Sequence, residues 1–267
     1  MASVKNRGEA RSQVSVTVSD GALIPDRGEK SLFSAWRISF FGAIALLIIL
    51  PTVRPRPYLD IMRFLPDGIL ATFQVTIISI IIALAIGLIT GLGRISRITF
   101  INRIATIYVE VIRGIPLLVQ LFYIYFALGQ IVQVPRLASA IIAMSVCYGA
   151  YMGEIFRAGL QAIPKGQMEA ALALGMSRGQ ALRKVILPQT FRVILPPVGN
   201  EFIALLKDSS LVSIIAVSDL LRRGREFASV SFQYFETYTV VALVYLVITL
   251  FLSKIVSLVE DWAERRG

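Results

Sequence analysis

The chemistry open to this 267-residue chain is set by a few polar side chains embedded in apolar sequence. Asn200 and Glu201 lie near the middle of one apolar block, just after Pro196, Pro197 and Gly199. Glu201 and Asp208 are seven residues apart and so share a helical face. An ionised side chain in hydrocarbon costs about 2.5–3.5 kcal/mol even on the gentler insertion scale, so each must face a cavity or a partner. A hydrophilic path for a zwitterionic solute is one such use. A structural pair, for example Glu201 with Arg113 on the neighbouring block, is the other. Gln120 is a weaker polar candidate for the path, and Glu154 a further one. Yet Glu154 and Arg157, like Glu110 and Arg113, stand at the i,i+3 spacing of an intrahelical ion pair. Tyr148 and Tyr151 read first as helix contacts.

Bond-making chemistry finds little support. The chain has no histidine and one cysteine, Cys147, inside an apolar stretch. Histidine-dependent triads, the HExxH zinc site and intrachain disulfides are therefore excluded, and no metal site or catalytic residue is expected. No GxxxxGK[ST] motif occurs, so the chain has no phosphate-binding loop of its own. No cofactor is expected either. Lys and Arg outnumber Asp and Glu by 27 to 17, a balance that suits nucleic acid in principle. The basic residues cluster in short connectors between apolar blocks, which fits membrane topology and no nucleic-acid partner.

Those blocks must position the polar residues. Hydrophobic residues make up 56% of the chain and the mean hydropathy is +0.72, so the protein is read as integral to a membrane and in contact with lipid. Residues 1–34 are polar and read as a flexible cytoplasmic tail. A first span is expected over 35–53 and an external, Pro-rich loop over 54–67. Five further spans follow at about 68–91, long enough for a core of ~30 Å, then 101–128, 137–157, a Pro-interrupted block over 191–206, and 238–259. With the N-terminus inside, the tail's basic residues, Arg94, Arg97, Arg103, Lys165, Arg178, Arg183, Lys184, Arg265 and Arg266 fall on the cytoplasmic side. Arg54, Arg56, Arg63, Arg136, Arg222, Arg223 and Arg225 fall outside. Of these, the cluster Arg222, Arg223 and Arg225 reads either as a contact for an external protein or as a solvated run.

The segment 164–188, PKGQMEAALALGMSRGQALRKVILP, is too charged to span and too regular for a plain connector. Pro164 pre-sets a helix, Gly175 stops it, and Ser177 with Gln180 forms a capping box for the next. Leu182 and Ile186 should share a face, and Pro188 should end the run. Two short helices at a sharp bend result, with Ala170, Ala171 and Leu174 as a small-residue apolar face. Such a face suits a groove on a partner protein, or it lies on the lipid headgroups.

A resemblance to a known family favours the groove. Glu169-Ala170-Ala171, Gly175, then Val185-Ile186-Leu187-Pro188 resembles the EAA loop of ATP-binding-cassette import permeases, with Val185 at the usual isoleucine. The stretches TFQVTIISIIIALAIGLITGLGR, YVEVIRGIPLLVQLFYIYFAL, YGAYMGEIFRAGLQAIPKGQMEAALALG and PPVGNEFIALLKDSSLVSIIAVSDL are similar to permeases for polar amino acids. The resemblance covers about 68–263. It implies an all-α membrane protein with a five-helix type-I importer core, here preceded by one extra N-terminal span. It also implies that Glu169, Ala170, Ala171, Gly175, Leu187 and Pro188 couple the chain to separate ATPase subunits. A second permease subunit, an external solute-binding protein and a bacterial inner-membrane location are implied with them. The alternative is an ATP-independent channel or ion-coupled carrier for small polar solutes.

Overall fold

The computed structural model describes residues 34–265, so the expected tail lies outside the described residues apart from Ser34. Ser34 caps α1 (Ala35–Val53), its hydroxyl accepting from the Arg37 N–H. The expected loop over 54–67 is instead a helix, α2 (Pro55–Phe64). Its prolines lie at the first positions, where a missing N–H costs no helical hydrogen bond. Pro57, Tyr58 and Ile61 of α2 are buried, and Tyr58 and Ile61 pack with Leu65 against Leu220, Val240 and Val241, which gives the helix a place to lie.

The core is built on α3 (Pro66–Arg94) and α6 (Arg136–Ala162). These helices approach backbone to backbone. A Cβ on Gly91 would meet the Gly153 carbonyl oxygen at 2.9 Å, and one on Gly87 would strike Met152. Gly87 and Gly91 of α3 thus face the Gly149–Gly153 stretch of α6, the small-residue packing that membrane helices use where lipid removes the hydrophobic drive. Val75, Ala83, Met144, Met152, Leu205 and Ile215 complete the buried core around this seam.

Among the described residues, four helices are long and apolar enough to cross a membrane, or five if one bent pair counts as a single span. That bent pair corrects the expected continuous span over 101–128. The chain runs through α4 (Thr99–Gly114), breaks, and resumes in α5 (Leu117–Phe122) at a 100° bend. Ile115 is extended because it precedes Pro116, and proline disfavours helical geometry in the residue before it. A π turn over Tyr123–Ala127 follows α5.

After α6 come the short helices α7 (Lys165–Ala173) and α8 (Arg178–Ala181), then α9 (Leu187–Asp208). The helix α9 continues through Pro196 and Pro197 and has a span's length, though its polar residues keep it off the apolar count. A 3₁₀ turn (Ser209–Ile215), α10 (Leu220–Ser231) and α11 (Tyr234–Arg265) complete the chain. Helix α1 lies along α11, where the Trp36 indole donates to the Leu250 carbonyl at 2.9 Å.

Candidate functional site

Two places combine built geometry with unsatisfied chemistry. The first is a cavity of about 420 Å³ at the break in the bent pair. Arg113 and Gly114 end α4 there, Ile115 and Pro116 form the break, and Leu117 opens α5. The opposite walls are Cys147, Tyr148 and Tyr151 of α6 with Glu201, Ala204 and Asp208 of α9. Glu201 and Asp208 do share a face, as their spacing predicts, and both open on this cavity. The Tyr148 hydroxyl donates to an Asp208 carboxylate oxygen at 2.9 Å, tying α6 to α9 at one rim. The Arg113 guanidinium lies over the Tyr151 ring, 5.2 Å from its centroid. Among the described residues no ion pair joins Arg113 to Glu201, Asp208 or Glu110. The expected Glu110–Arg113 pair is absent there because Arg113 reaches across to α6 instead.

Gln120 has a different task from the one its depth suggests. It is 7% exposed, and its amide nitrogen donates to the Ile112 and Ile115 carbonyls, both at 2.8 Å. Those carbonyls belong to the last turn of α4 and the residue beyond it, where a break at depth frees acceptors that lipid cannot satisfy. Gln120 therefore holds the bend that shapes the cavity. The sequence signal was Gly114-Ile115-Pro116 followed by a buried amide.

Glu154 and Asn200 do not line the cavity. Glu154 forms the expected pair with Arg157 and a second with Arg94 of α3, and Arg157 also reaches Gln161. The Asn102 amide of α4 donates to the Arg94 carbonyl. This cluster bolts α3, α4 and α6 together on the 164–188 side of the cavity. Asn200 is exposed on α9.

The second place is the 164–188 segment itself. At the end of α7 the Met176 N–H donates to the Ala171 carbonyl at 3.1 Å and the Gly175 N–H to Leu172 at 3.0 Å. With Gly175 at φ +82° this is a Schellman stop. Ser177 and Gln180 form the capping box in both directions. The expected apolar face divides: Ala171 is buried against the bend, while Ala170 is exposed and Leu174 is 81% exposed, beside exposed Glu169. Two expectations for the far end give way. Residues Leu182–Ile186 form a π turn, so Leu182 is exposed while Ile186 is buried. Pro188 opens α9 instead of ending a helix, since the wider turn accommodates its ring and missing N–H. Gln189 then ties the segment to α9, donating to the Gln167 side chain and the Val185 carbonyl.

A family model described as binding-protein-dependent transport system inner membrane component matches residues 83–266. The chain belongs to that family. A probable amino-acid permease protein, YxeN, of Bacillus subtilis (strain 168) is 40% identical over 198 residues, 73% of this chain and 87% of the relative. The arginine transport system permease protein ArtQ of the same organism is 38% identical over 199 residues, 74% and 91% of the two chains. A chain in the crystal structure of an amino acid ABC transporter with histidines superposes with a TM-score of 0.73 at 42% identity, covering 76% of this chain and 95% of that one. The fold is that of a type-I importer permease. Helix α1, α2 and the first part of α3 precede the residues matched by the family model.

The connector between α9 and α11 is held by contacts within the chain. Asp219 caps α10, accepting from the Leu221 and Arg222 N–H groups and from the Tyr245 hydroxyl. Arg222 pairs with Glu226, Arg223 with Asp67 and Glu226, and Arg225 donates to the Ser213 carbonyl. These arginines hold α10 in place.

Proposed function

We propose that this chain is the membrane-spanning subunit of an ATP-binding-cassette importer for polar amino acids, in a bacterial inner membrane. The observation that carries the reading is the 164–188 segment, rigidly stopped at Gly175 and presenting Glu169, Ala170 and Leu174 outward. Such a rigid, exposed, small-residue helix fits a groove on a partner ATPase. The names of the relatives, both amino-acid permeases, support the solute class.

In this reading the cavity between Arg113, Tyr148, Glu201 and Asp208 receives the solute from an external binding protein. A second permease subunit completes the pathway. ATP binding closes the ATPase pair, the docked segments move with it, and α6 and α9 carry that motion because both join the segment directly. The Arg94–Glu154–Arg157 cluster lies between cavity and segment and acts as the inner closure. The chain supplies a two-state element and the ATPase supplies the bias.

The test is reconstitution in vesicles with and without the cognate ATPase and binding protein. Accumulation of labelled amino acid should require both partners and ATP. Uptake by the permease alone, following a proton gradient or the membrane potential, would instead establish the carrier or channel alternative.

A further inference from the structure

We infer that a crevice between α3 and α9 holds a two-chain phospholipid with an anionic headgroup. A cavity of about 830 Å³ opens there. Leu84, Leu88 and Leu92 of α3 form one wall, and Leu187, Phe191 and Ile194 of α9 the other. Thr190 is the only lining residue with a polar side chain, and its hydroxyl is taken by the Ile186 carbonyl at 2.9 Å. No side chain is left to orient a polar solute, which sets this crevice apart from the cavity at the α4–α5 break. Leu84 also lines a second cavity, of about 350 Å³, between α3, α9 and α11, where every lining residue is apolar. Two adjoining apolar cavities suit two chains.

Depth points to the same ligand. The two cavities extend along α3 from Leu92 to Ile80, twelve residues or about 18 Å of helix. One leaflet of a ~30 Å hydrocarbon core is about 15 Å deep. Leu88, Leu92, Leu187 and Phe191 are all exposed, so the crevice is open and not sealed into the core.

The rim supplies the charge. The π turn over Leu182–Ile186 leaves Leu182 exposed in the lining and carries Arg183 and Lys184 next to it in sequence, both exposed. Arg97, five residues beyond Leu92, is at the same end. None of the three has an ion pair among the described residues, whereas Arg94 is committed to Glu154. Uncommitted cations at the mouth of an apolar groove match a headgroup with net negative charge. A zwitterionic headgroup brings its own cation and gains less from them. The same π turn joins α8 to α9, so a lipid seated here braces the joint of the 164–188 segment against α3.

The experiment places the full chain in nanodiscs with a small mole fraction of phosphatidylglycerol or of phosphatidylcholine, each carrying the same photoactivatable acyl chain. Labelled residues are mapped by mass spectrometry. On the unaltered chain the phosphatidylglycerol probe should label Leu88 and Phe191 roughly tenfold more than the phosphatidylcholine probe. Exposed Ile38 and Phe41 of α1 should be labelled alike by both. Arg183→Gln together with Lys184→Gln should bring the crevice preference to within about twofold, with α1 labelling reporting that the variant is inserted. Excess soluble glycerol phosphate should not compete, because it lacks the chains. Nanodiscs present both leaflets to the chain, so the outcome is separate from the sidedness and coupling proposed above. Equal labelling of the crevice by the two probes overturns the anionic headgroup, and a preference that survives in the double variant overturns the rim. Loss of labelling to glycerol phosphate overturns the lipid as the source of the charge. A crevice that neither probe labels while α1 is labelled overturns the site, and crosslinks there between two copies of the chain would assign it to a second permease subunit.

Discussion

At Gly175 the chain turns between α7 and α8 with φ at +82°, and nothing lies within 4 Å of the point a Cβ would occupy, so the constraint there is conformational and not steric. An L-residue in that region costs about 1–2 kcal/mol, and asparagine less than alanine. Gly175→Ala should therefore fold and insert but hold the bend poorly. We expect ATP hydrolysis by the assembled complex to persist while uptake per ATP falls several-fold, with Gly175→Asn closer to the parent. Equal coupling in Ala and parent proteins would remove the bend from the mechanism. Asp219 gives a pH prediction in the connector outside the spans. It is fully buried, and burial pushes its carboxyl up to about 6 against the helix-capping N–H groups that favour the charged form. Below about pH 4 the group is neutral in both folded and unfolded chains. Between about 4 and 6 the unfolded chain ionises first, so stability falls as pH rises, by about 3 kcal/mol once pH exceeds 6. Asp219→Asn keeps a capping oxygen without that titration. Its thermal midpoint should gain on the parent as pH is raised from about 5 to about 7, and a constant gap would contradict the assignment.

The elements differ in how much of them could be read in advance. α1 begins and ends where its apolar run does, and the capping box at Ser177 was legible because it depends on four consecutive residues. The break at Ile115 and the helix at Pro55–Phe64 were not. In the first case an apolar run continues across Pro116 and hides a 100° bend. In the second, α2 owes its order to burial of Tyr58 and Ile61 against distant Leu220 and Val241, which local sequence does not express. The α3–α6 seam lies between these extremes, since its glycines are visible but their partners are not. It also makes a sharp prediction. A methyl on Gly91 would sit 2.9 Å from a backbone carbonyl and 2.8 Å from the Phe156 Cβ, so the helices must part to admit it. Gly91→Ala should lower the thermal midpoint of the detergent-solubilised chain by an amount corresponding to about 1–3 kcal/mol. Gly42→Ala on α1, where nothing lies within 4 Å, should leave it unchanged or slightly raised. Similar effects at the two positions would mean that the seam is not close-packed.

The whole molecule places the cavity and the 164–188 segment at different levels of one bundle, and α6 and α9 join them. The cavity's acids were legible from the spacing of Glu201 and Asp208, but Arg113, Tyr148 and Tyr151 reach it only through the bend and the α6–α9 contact. Sidedness of the bundle follows from charge. Arg97, Arg103, Lys165, Arg178, Arg183 and Lys184 gather at the segment end with no ion pair among the described residues. At the other end Arg222 and Arg223 are paired with acids, and Arg54 lies 3.8 Å from Glu236. Orientation follows the excess of Lys and Arg in short connectors, so the segment end should stay inside whether or not α1 is present. A chain beginning at Pro66 loses Arg54, Arg56 and Arg63 from the other end and the basic residues of the tail from the inside, so the bias rests on the connectors of the remaining bundle alone. The reporter is Gly166→Cys, at a position with open space around it, in a chain whose buried Cys147 is replaced by Ala. A membrane-impermeant maleimide should label it in inverted vesicles and not in intact cells, for the full chain and for the chain from Pro66 alike. Labelling of the full chain in intact cells would put the segment outside, beyond reach of an ATPase in the cytoplasm, and the proposed coupling would fail with it. Inversion of the shortened chain alone would show that α1, and not the connectors, sets the orientation.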